Sequence, residues 1–188
     1  MRAFYEAVNN RAIAATKIAF AALPESPLAI VPIAKHEQGQ GLSAHAEGWA
    51  RYSESLAEEL GVFTVDNTRI SRRAWPARGM VSDTGMHTLG WNVDKTLKYL
   101  KESGQFVDDA GGLTLIDRMA AIPAQLTSYD SGAQEIFSLR LLAQQELGDR
   151  FDLKTFHHHV LKNGNVPLWL LRQQIEAWIA EEKTKNGQ

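Results

Sequence analysis

The strongest constraint on the fold is the helical spacing of apolar residues, which recurs along most of the chain. Within residues 129–147, Ile136, Leu139, Leu142 and Ala143 fall on one face of a helix. No segment shows the sustained apolar–polar alternation of half-buried strands, and the only strand-like candidate is 28–33. The sequence therefore predicts an all-α protein of about seven helices, whose short connections make the packing largely antiparallel.

Capping residues predict where the helices begin. Asn92 and Asp152 can accept hydrogen bonds from the first free N–H groups of a helix, and Pro167 suits a first helical turn. Beyond the N-terminal region, helices are expected at 42–60, from Asp66 or Asn67 onward, and at 92–101, 113–122, 129–147, 152–164 and 167–180.

Glycine and proline predict where helices break. Pro76 and Gly79 should kink or interrupt the helix that starts near residue 66, because proline lacks an N–H donor and clashes with the preceding turn. The pair Gly111-Gly112 is expected to form a turn.

The length of 188 residues suits one domain with a single sizeable core. We expect an N-terminal helix and a proline-rich connector over 1–35, a helical core over 42–180 and a frayed tail over 181–188.

The composition narrows the classes of function. The chain has no cysteine, so only histidine, aspartate and glutamate remain as candidate metal ligands. A net charge of -2 gives no field that would attract nucleic acid or an anionic membrane. No apolar stretch suits a membrane span or a signal peptide, which predicts a cytoplasmic location for the chain as it stands.

The stretch HEQGQGLSAHAEGWARY, residues 36–52, is the first candidate metal site. His36, His45 and Glu47 could each supply a zinc ligand, but Gln40 stands where an H-E-x-x-H motif has its second histidine. In a helix, positions 45 and 47 point about 200° apart, so they could share one metal only if the helix begins irregularly. By spacing alone, ordinary histidines are the favoured interpretation.

Asp83 and His87 form a second candidate site. They stand four residues apart, so on a helix they share a face and could hydrogen-bond, leaving one ring nitrogen for a ligand. A simple pair of side chains near a helix end is the favoured alternative. The histidines of 157–159 point about 100° apart from one another, and we expect them to line an exposed helix face rather than chelate an ion.

Five segments together resemble one known family, the bacterial "domain of unknown function 885" family. They are AEGWARYSE (46–54), VSDTGMHTLGW (81–91), PAQLTSYDSG (123–132), LRLLAQQELGDRFDLKTFHHHVL (139–161) and NGNVPLWLL (163–171). The resemblance implies a mostly α-helical fold corresponding to the C-terminal part of longer proteins that are similar to zinc metallopeptidases.

The resemblance also implies roles for individual residues. Glu47 matches the glutamate of E-G-W-A, which would be a metal ligand. His87 of D-T-G-x-H and Tyr129, with Gln125 nearby, would lie on the substrate side. The family's H-E-x-x-P-G-H segment is missing or degenerate here, and neither way of aligning His36 restores two histidine ligands.

Other family positions differ as well. Ala124 stands where the family has the glycine of P-G-Q, Asp130 stands where it often has lysine, and Gly79 stands where it usually has arginine. This pattern suits a retained fold with reduced or lost chemistry.

We therefore expect a metallopeptidase-like domain, a zinc-dependent peptide hydrolase with a degenerate metal site. Glu47 and His36 would be zinc ligands, His45 a substitute ligand and Glu37 the general base, acting on a peptide or small-molecule substrate beside His87 and Tyr129. The alternative is a non-catalytic helical binding or oligomerisation module that keeps the family fold and forms homo-oligomers.

Overall fold

The computed structural model describes residues 43–106 and 108–185, and within these ranges it contains seven α-helices and no strand. This confirms the all-α prediction. The predicted N-terminal helix and connector, the strand-like segment 28–33, His36 and Glu37 lie outside the described residues. The helices are α1 (Ser43–Glu59), α2 (Asp66–Thr88), α3 (Val93–Glu102), α4 (Asp109–Ala121), α5 (Gln125–Leu147), α6 (Leu153–Leu161) and α7 (Leu168–Thr184), with a 3-10 turn at Gly148–Arg150.

Side-chain caps begin three of these helices. Asn92 accepts a hydrogen bond from Lys95 N, and Asp152 accepts one from Thr155 N at 2.8 Å, as the sequence predicts. Asp108 caps α4 through Gly111 N. For α2 the predicted cap is wrong: the capping position is Val65, which is extended and offers no side-chain acceptor.

Two predicted breaks are helical in the structure. Helix α2 continues through Pro76 and Gly79, so these residues do not interrupt it. The predicted turn at Gly111-Gly112 is the first turn of α4. A Cβ at Gly112 would lie 2.4 Å from Leu97 Cδ1, so these glycines permit close packing rather than a turn.

Helix α5 lies at the centre of the fold and contributes to two apolar clusters. Its middle and C-terminal part packs with α1, α6 and α7 around Tyr52, Phe156 and Trp178. Its first turn packs with α3 and α4 through Leu126 and Met119. Since one continuous helix joins both clusters, the N-terminal end of α5 is held rigidly against the rest of the domain.

Some pairs of packed helices run antiparallel and others run in the same direction. Adjacent helices α1 and α2 run antiparallel, and so do α3 and α4. Helices α1 and α5 run in the same direction, because their side-chain contacts rise together from Glu47–Gln125 to Glu59–Arg140. The contacts between α5 and α7 rise in the same way. Antiparallel packing therefore holds for these two adjacent pairs but not for the two long-range pairs.

Two glycines allow α1 and α5 to approach closely. A Cβ at Gly132 would lie 1.7 Å from the carbonyl oxygen of Ala44, and a Cβ at Gly48 would lie 2.4 Å from Gly132 Cα. Real Cβ atoms do not approach backbone this closely, so both positions need glycine. The glycine of E-G-W-A thus places Glu47 directly beside α5.

Two further expectations need correction. His157 is 4% exposed rather than lining an open face, because its Nε2 atom is 2.9 Å from the buried Tyr52 hydroxyl. The tail is helical as far as Thr184 instead of fraying after Ala180, since Arg150 donates to the Glu182 carbonyl and Lys183 pairs with Glu146.

Within the described ranges, no helix combines the length and apolar character that crossing a membrane requires.

Candidate functional site

Asp83 and His87 form the predicted pair on α2. His87 Nδ1 lies 2.8 Å from the Asp83 carboxylate and 2.9 Å from the Asp83 carbonyl oxygen. Both oxygens are acceptors, so Nδ1 carries the proton and Nε2 of the neutral ring keeps its lone pair. The His87 side chain is 31% exposed whereas that of Asp83 is 1% exposed, which makes Asp83 a buried support for a partly open imidazole.

The same carboxylate holds the start of α5. Asp83 Oδ1 accepts from Ala124 N and Oδ2 accepts from Leu126 N, both at 3.2 Å. These bonds satisfy N–H groups that have no partner within the helix. Ala124 has a left-handed φ of 65°, unusual for a residue with a Cβ. Asp83 thereby fixes the position of His87 relative to α5, which carries Gln125 and Tyr129.

Gln125 connects three elements. Its Nε2 donates to Glu47 Oε1 on α1 and to Tyr129 Oη, both at 3.0 Å, and its Oε1 accepts from Arg118 of α4 at 2.6 Å. A cationic donor on one side and a carboxylate acceptor on the other leave one orientation for the amide. Because Tyr129 Oη accepts from Gln125, its own O–H is available to donate to a bound molecule.

Glycine and tryptophan of D-T-G-x-H-x-x-G-W shape the end of α2. A Cβ at Gly85 would lie 2.5 Å from the Trp91 ring, so glycine lets the indole pack directly on the helix. Gly90 turns the chain with a φ of +65°, and Trp91 N donates to the Gly85 carbonyl at 2.9 Å. Trp91 is also in edge contact with Tyr99. This packing holds the turn that carries His87.

His45 does not join Glu47. Helix α1 is regular through both residues, so their side chains point to different sides, and the irregular start that a shared metal requires is absent from Ser43 onward. His45 is 3% exposed, and its Nδ1 accepts from Val166 N at 3.0 Å. Burial lowers its pKa, outweighing opposing hydrogen bonds to the backbone of Val160 and Val166. The structure thus corrects the expectation that His45 substitutes as a ligand beside Glu47.

The described residues do not form a complete metal site. Within them, no group of three or more histidine, cysteine, aspartate or glutamate side chains could hold an ion. Glu47 is the one predicted ligand whose carboxylate lies in the polar network. His36 and Glu37 lie outside the described residues.

Two features of the site are not evident from the sequence patterns. Arg118 contacts Gln125 although it belongs to no recognised motif. Its one sequence signal is that it is the basic residue in the last turn of α4. Asp130, where the family often has lysine, accepts from the buried Arg51 at 2.9 Å. The negative charge of Asp130 on α5 is therefore paired with the positive charge of Arg51 on α1.

Comparison with known proteins agrees with this architecture. One similar solved structure comes from Colwellia psychrerythraea and is described as a candidate lipoprotein; it superimposes with a TM-score of 0.68 and is 36% identical in sequence. The match covers 74% of this chain but only 24% of that protein, so this chain spans about a quarter of its length. No curated protein matches the chain. Residues 32–175 match the family described as "Bacterial protein of unknown function (DUF885)", and the chain belongs to that family.

Proposed function

We propose that this chain carries the substrate-side part of a metallopeptidase-like hydrolase site whose metal-ligand set is degenerate. The supporting observation is a pair of hydrogen-bonded groups at the start of α5: Glu47, Gln125 and Tyr129 form one, and Asp83 and His87 form the other, which binds α5 through Leu126 N. A catalytic zinc commonly has three protein ligands, and in the described residues Glu47 is one without two companions. These residues by themselves do not fit zinc, so no step is assigned to a metal.

The residues on the substrate side bind and orient a polar group. Tyr129 O–H donates to an acceptor such as a peptide carbonyl oxygen, and His87 Nε2 accepts from an N–H group or, once protonated, donates. Asp83 keeps the imidazole in one tautomer and Gln125 keeps the tyrosine hydroxyl in place. In the proposal, His36 is the second ligand beside Glu47, so the set stays one short of three, and Glu37 acts as general base.

Zinc competition against a chromophoric chelator tests the ligand assignment. The wild-type chain should take up zinc, and Glu47→Gln and His36→Ala should each weaken binding at least tenfold because a ligand is lost. Glu102→Gln removes an exposed carboxylate of α3 and serves as the matched control. Wild-type zinc binding no tighter than that of Glu47→Gln would contradict the assignment of Glu47 as a zinc ligand.

Hydrolysis of a fluorogenic peptide tests the substrate side. Tyr129→Phe should keep zinc affinity and lose about 10²-fold or more in kcat/KM, the range typical for removal of one stabilising donor at a reacting centre. A Tyr129→Phe variant as active as the wild type, in a preparation that hydrolyses the peptide, contradicts the proposed role of Tyr129.

A second candidate function is a non-catalytic binding or oligomerisation module. The observation that favours it is a set of large apolar side chains that are more than 60% exposed among the described residues: Leu60, Ile70, Leu89 and Trp169. Light scattering after size exclusion should then show a dimer that Ile70→Ser returns to a monomer. A monomeric wild-type chain counts against self-association.

A further inference from the structure

Arg118 is an exposed arginine of α4 whose side chain ends at the candidate site. Its Nη2 atom donates to Gln125 Oε1 at 2.6 Å, which is the only polar contact of this side chain among the described residues. Other exposed arginines, Arg69, Arg73 and Arg172, each pair with a glutamate. Within the described part of the chain, ion pairing therefore does not account for the position of Arg118.

The Gln125 amide is held from both ends. At the end away from Arg118, its Nε2 donates to Glu47 Oε1 and to Tyr129 Oη, both at 3.0 Å. A guanidinium only donates and a carboxylate only accepts. An amide turned by half a rotation would place its NH2 group against Arg118 and its oxygen against Glu47, and both contacts would be repulsive. Arg118 and Glu47 therefore favour the same orientation of the amide.

This orientation decides what the Tyr129 hydroxyl can do. When Gln125 Nε2 faces Tyr129 Oη, the hydroxyl accepts a hydrogen bond and its own proton is free for a substrate acceptor. When Gln125 Oε1 faces Oη instead, the hydroxyl donates to the amide and can no longer donate to a substrate. A side chain that holds the amide therefore controls the donor of the site without touching the substrate.

We propose that Arg118 is a positioning residue of the candidate hydrolase site, which acts on Tyr129 through the Gln125 amide. The inference rests on the proposed function, since it needs Tyr129 as the substrate-side donor. Within the described residues, no hydrogen bond or ion pair joins Arg118 directly to Glu47 or Tyr129, so its effect on them passes through Gln125. The Arg118–Gln125 bond also ties the last turn of α4 to the first residue of α5.

Hydrolysis of a fluorogenic peptide by Arg118→Met measures the effect on turnover. This variant keeps an unbranched apolar stem and removes the donors, so kcat should fall roughly 3–10-fold, the range for loss of one exposed hydrogen bond. KM should stay within about twofold, because the substrate does not contact Arg118. Arg118→Lys keeps a cationic donor and should recover most of kcat. Arg150→Met, the matched control, alters an exposed arginine that donates to the Glu182 carbonyl, and should leave kcat unchanged.

Two results of this assay would contradict the proposal. A raised KM with unchanged kcat would mean that Arg118 binds the substrate directly. A lower midpoint of urea unfolding with unchanged kcat would mean that Arg118 only stabilises the C-terminal end of α4, as a cation in the last turn of a helix can.

A double-mutant cycle tests the route through Gln125. Gln125→Met removes the amide, so adding Arg118→Met to that variant should cause no further loss of kcat. An equal loss in the presence and absence of Gln125 would overturn the proposal, because Arg118 would then act by another route.

Nuclear magnetic resonance tests the amide without any need for catalysis. The Gln125 side-chain amide protons should show Overhauser contacts with the Tyr129 ring in the wild type and in Arg118→Lys. These contacts should weaken at least twofold in Arg118→Met, and unchanged contacts there would overturn the proposal. A wild-type chain that hydrolyses no peptide counts against the proposed function instead, and the Overhauser contacts then decide the role of Arg118 alone.

Discussion

Replacing Gly132 with alanine should separate helices α1 and α5. The new Cβ would lie 1.7 Å from the Ala44 carbonyl oxygen and 2.8 Å from Gly48 Cα, and both neighbours are backbone atoms that no side-chain rotation can move. The helices would have to part by more than about 1 Å to restore ordinary contact, which loosens the packing of Trp49 and Tyr52.

The expected loss of stability is the difference between two effects. Overpacking a close contact costs about 1–3 kcal/mol and sometimes more, whereas alanine is favoured over glycine in a helix by about 1 kcal/mol. The contact is backbone against backbone, so we take the upper end and expect a net loss of about 2 kcal/mol. For a domain of this size that corresponds to a fall in Tm of roughly 4–8 °C.

Thermal unfolding followed by circular dichroism measures this effect, with Gly79→Ala as the matched control. Gly79 also lies inside a helix, but its new Cβ would meet only Leu126 Cδ1, at 3.1 Å, at the end of a movable side chain. The control should stay within about 1 kcal/mol of the wild type. A Gly132→Ala variant that melts no lower than Gly79→Ala would refute the close helix approach.

Three further predictions concern stability. Ala124→Gly should raise the free energy of unfolding by about 0.5–1 kcal/mol in urea titrations, because relief of the left-handed conformation exceeds the added entropy of the unfolded chain; a less stable variant would contradict the φ of 65°. Asp83→Asn should cost about 2–4 kcal/mol by the same measurement, since the amide cannot accept all three N–H donors, and wild-type stability would show that α5 needs no such cap. Burial, aided by Arg140, lowers the pKa of His157 to about 4, so the unfolded chain binds its proton first and stability should fall as pH drops from about 6.5 to 4, by up to about 1.4 kcal/mol per pH unit. His157→Gln should flatten that slope, and an unchanged slope would assign it to other groups.

Local patterns predicted much of the fold. Asn92 and Asp152 cap helices as expected, because a cap depends on residues only three positions away. The predicted turn at Gly111-Gly112 was wrong, because packing against distant residues determines the conformation there. Gly112 is helical because Leu97 packs against it, and nothing in the sequence around Gly112 reveals that neighbour.

In the candidate site, too, contacts between residues close in sequence were predictable and long-range contacts were not. Asp83 and His87 share a helix face, so spacing alone predicted their hydrogen bond. The bond between Gln125 and Glu47 spans 78 residues and exists only because α1 docks on α5 through paired glycines. Only the family resemblance connected Glu47 with Tyr129 in advance; it placed Gln125 near the tyrosine but did not predict that the Gln125 amide binds Glu47.

The parallel pairing of α1 with α5 has a consequence for synthesis of the chain. Contacts between these helices join residues 78–88 positions apart, so α1 leaves the ribosome long before its partner. At roughly 5–20 residues per second, the wait lasts about 4–18 s. During that interval Trp49, Tyr52 and Leu56 lack the α5 side chains with which they pack in the folded domain, so their burial must wait for residues that are made later.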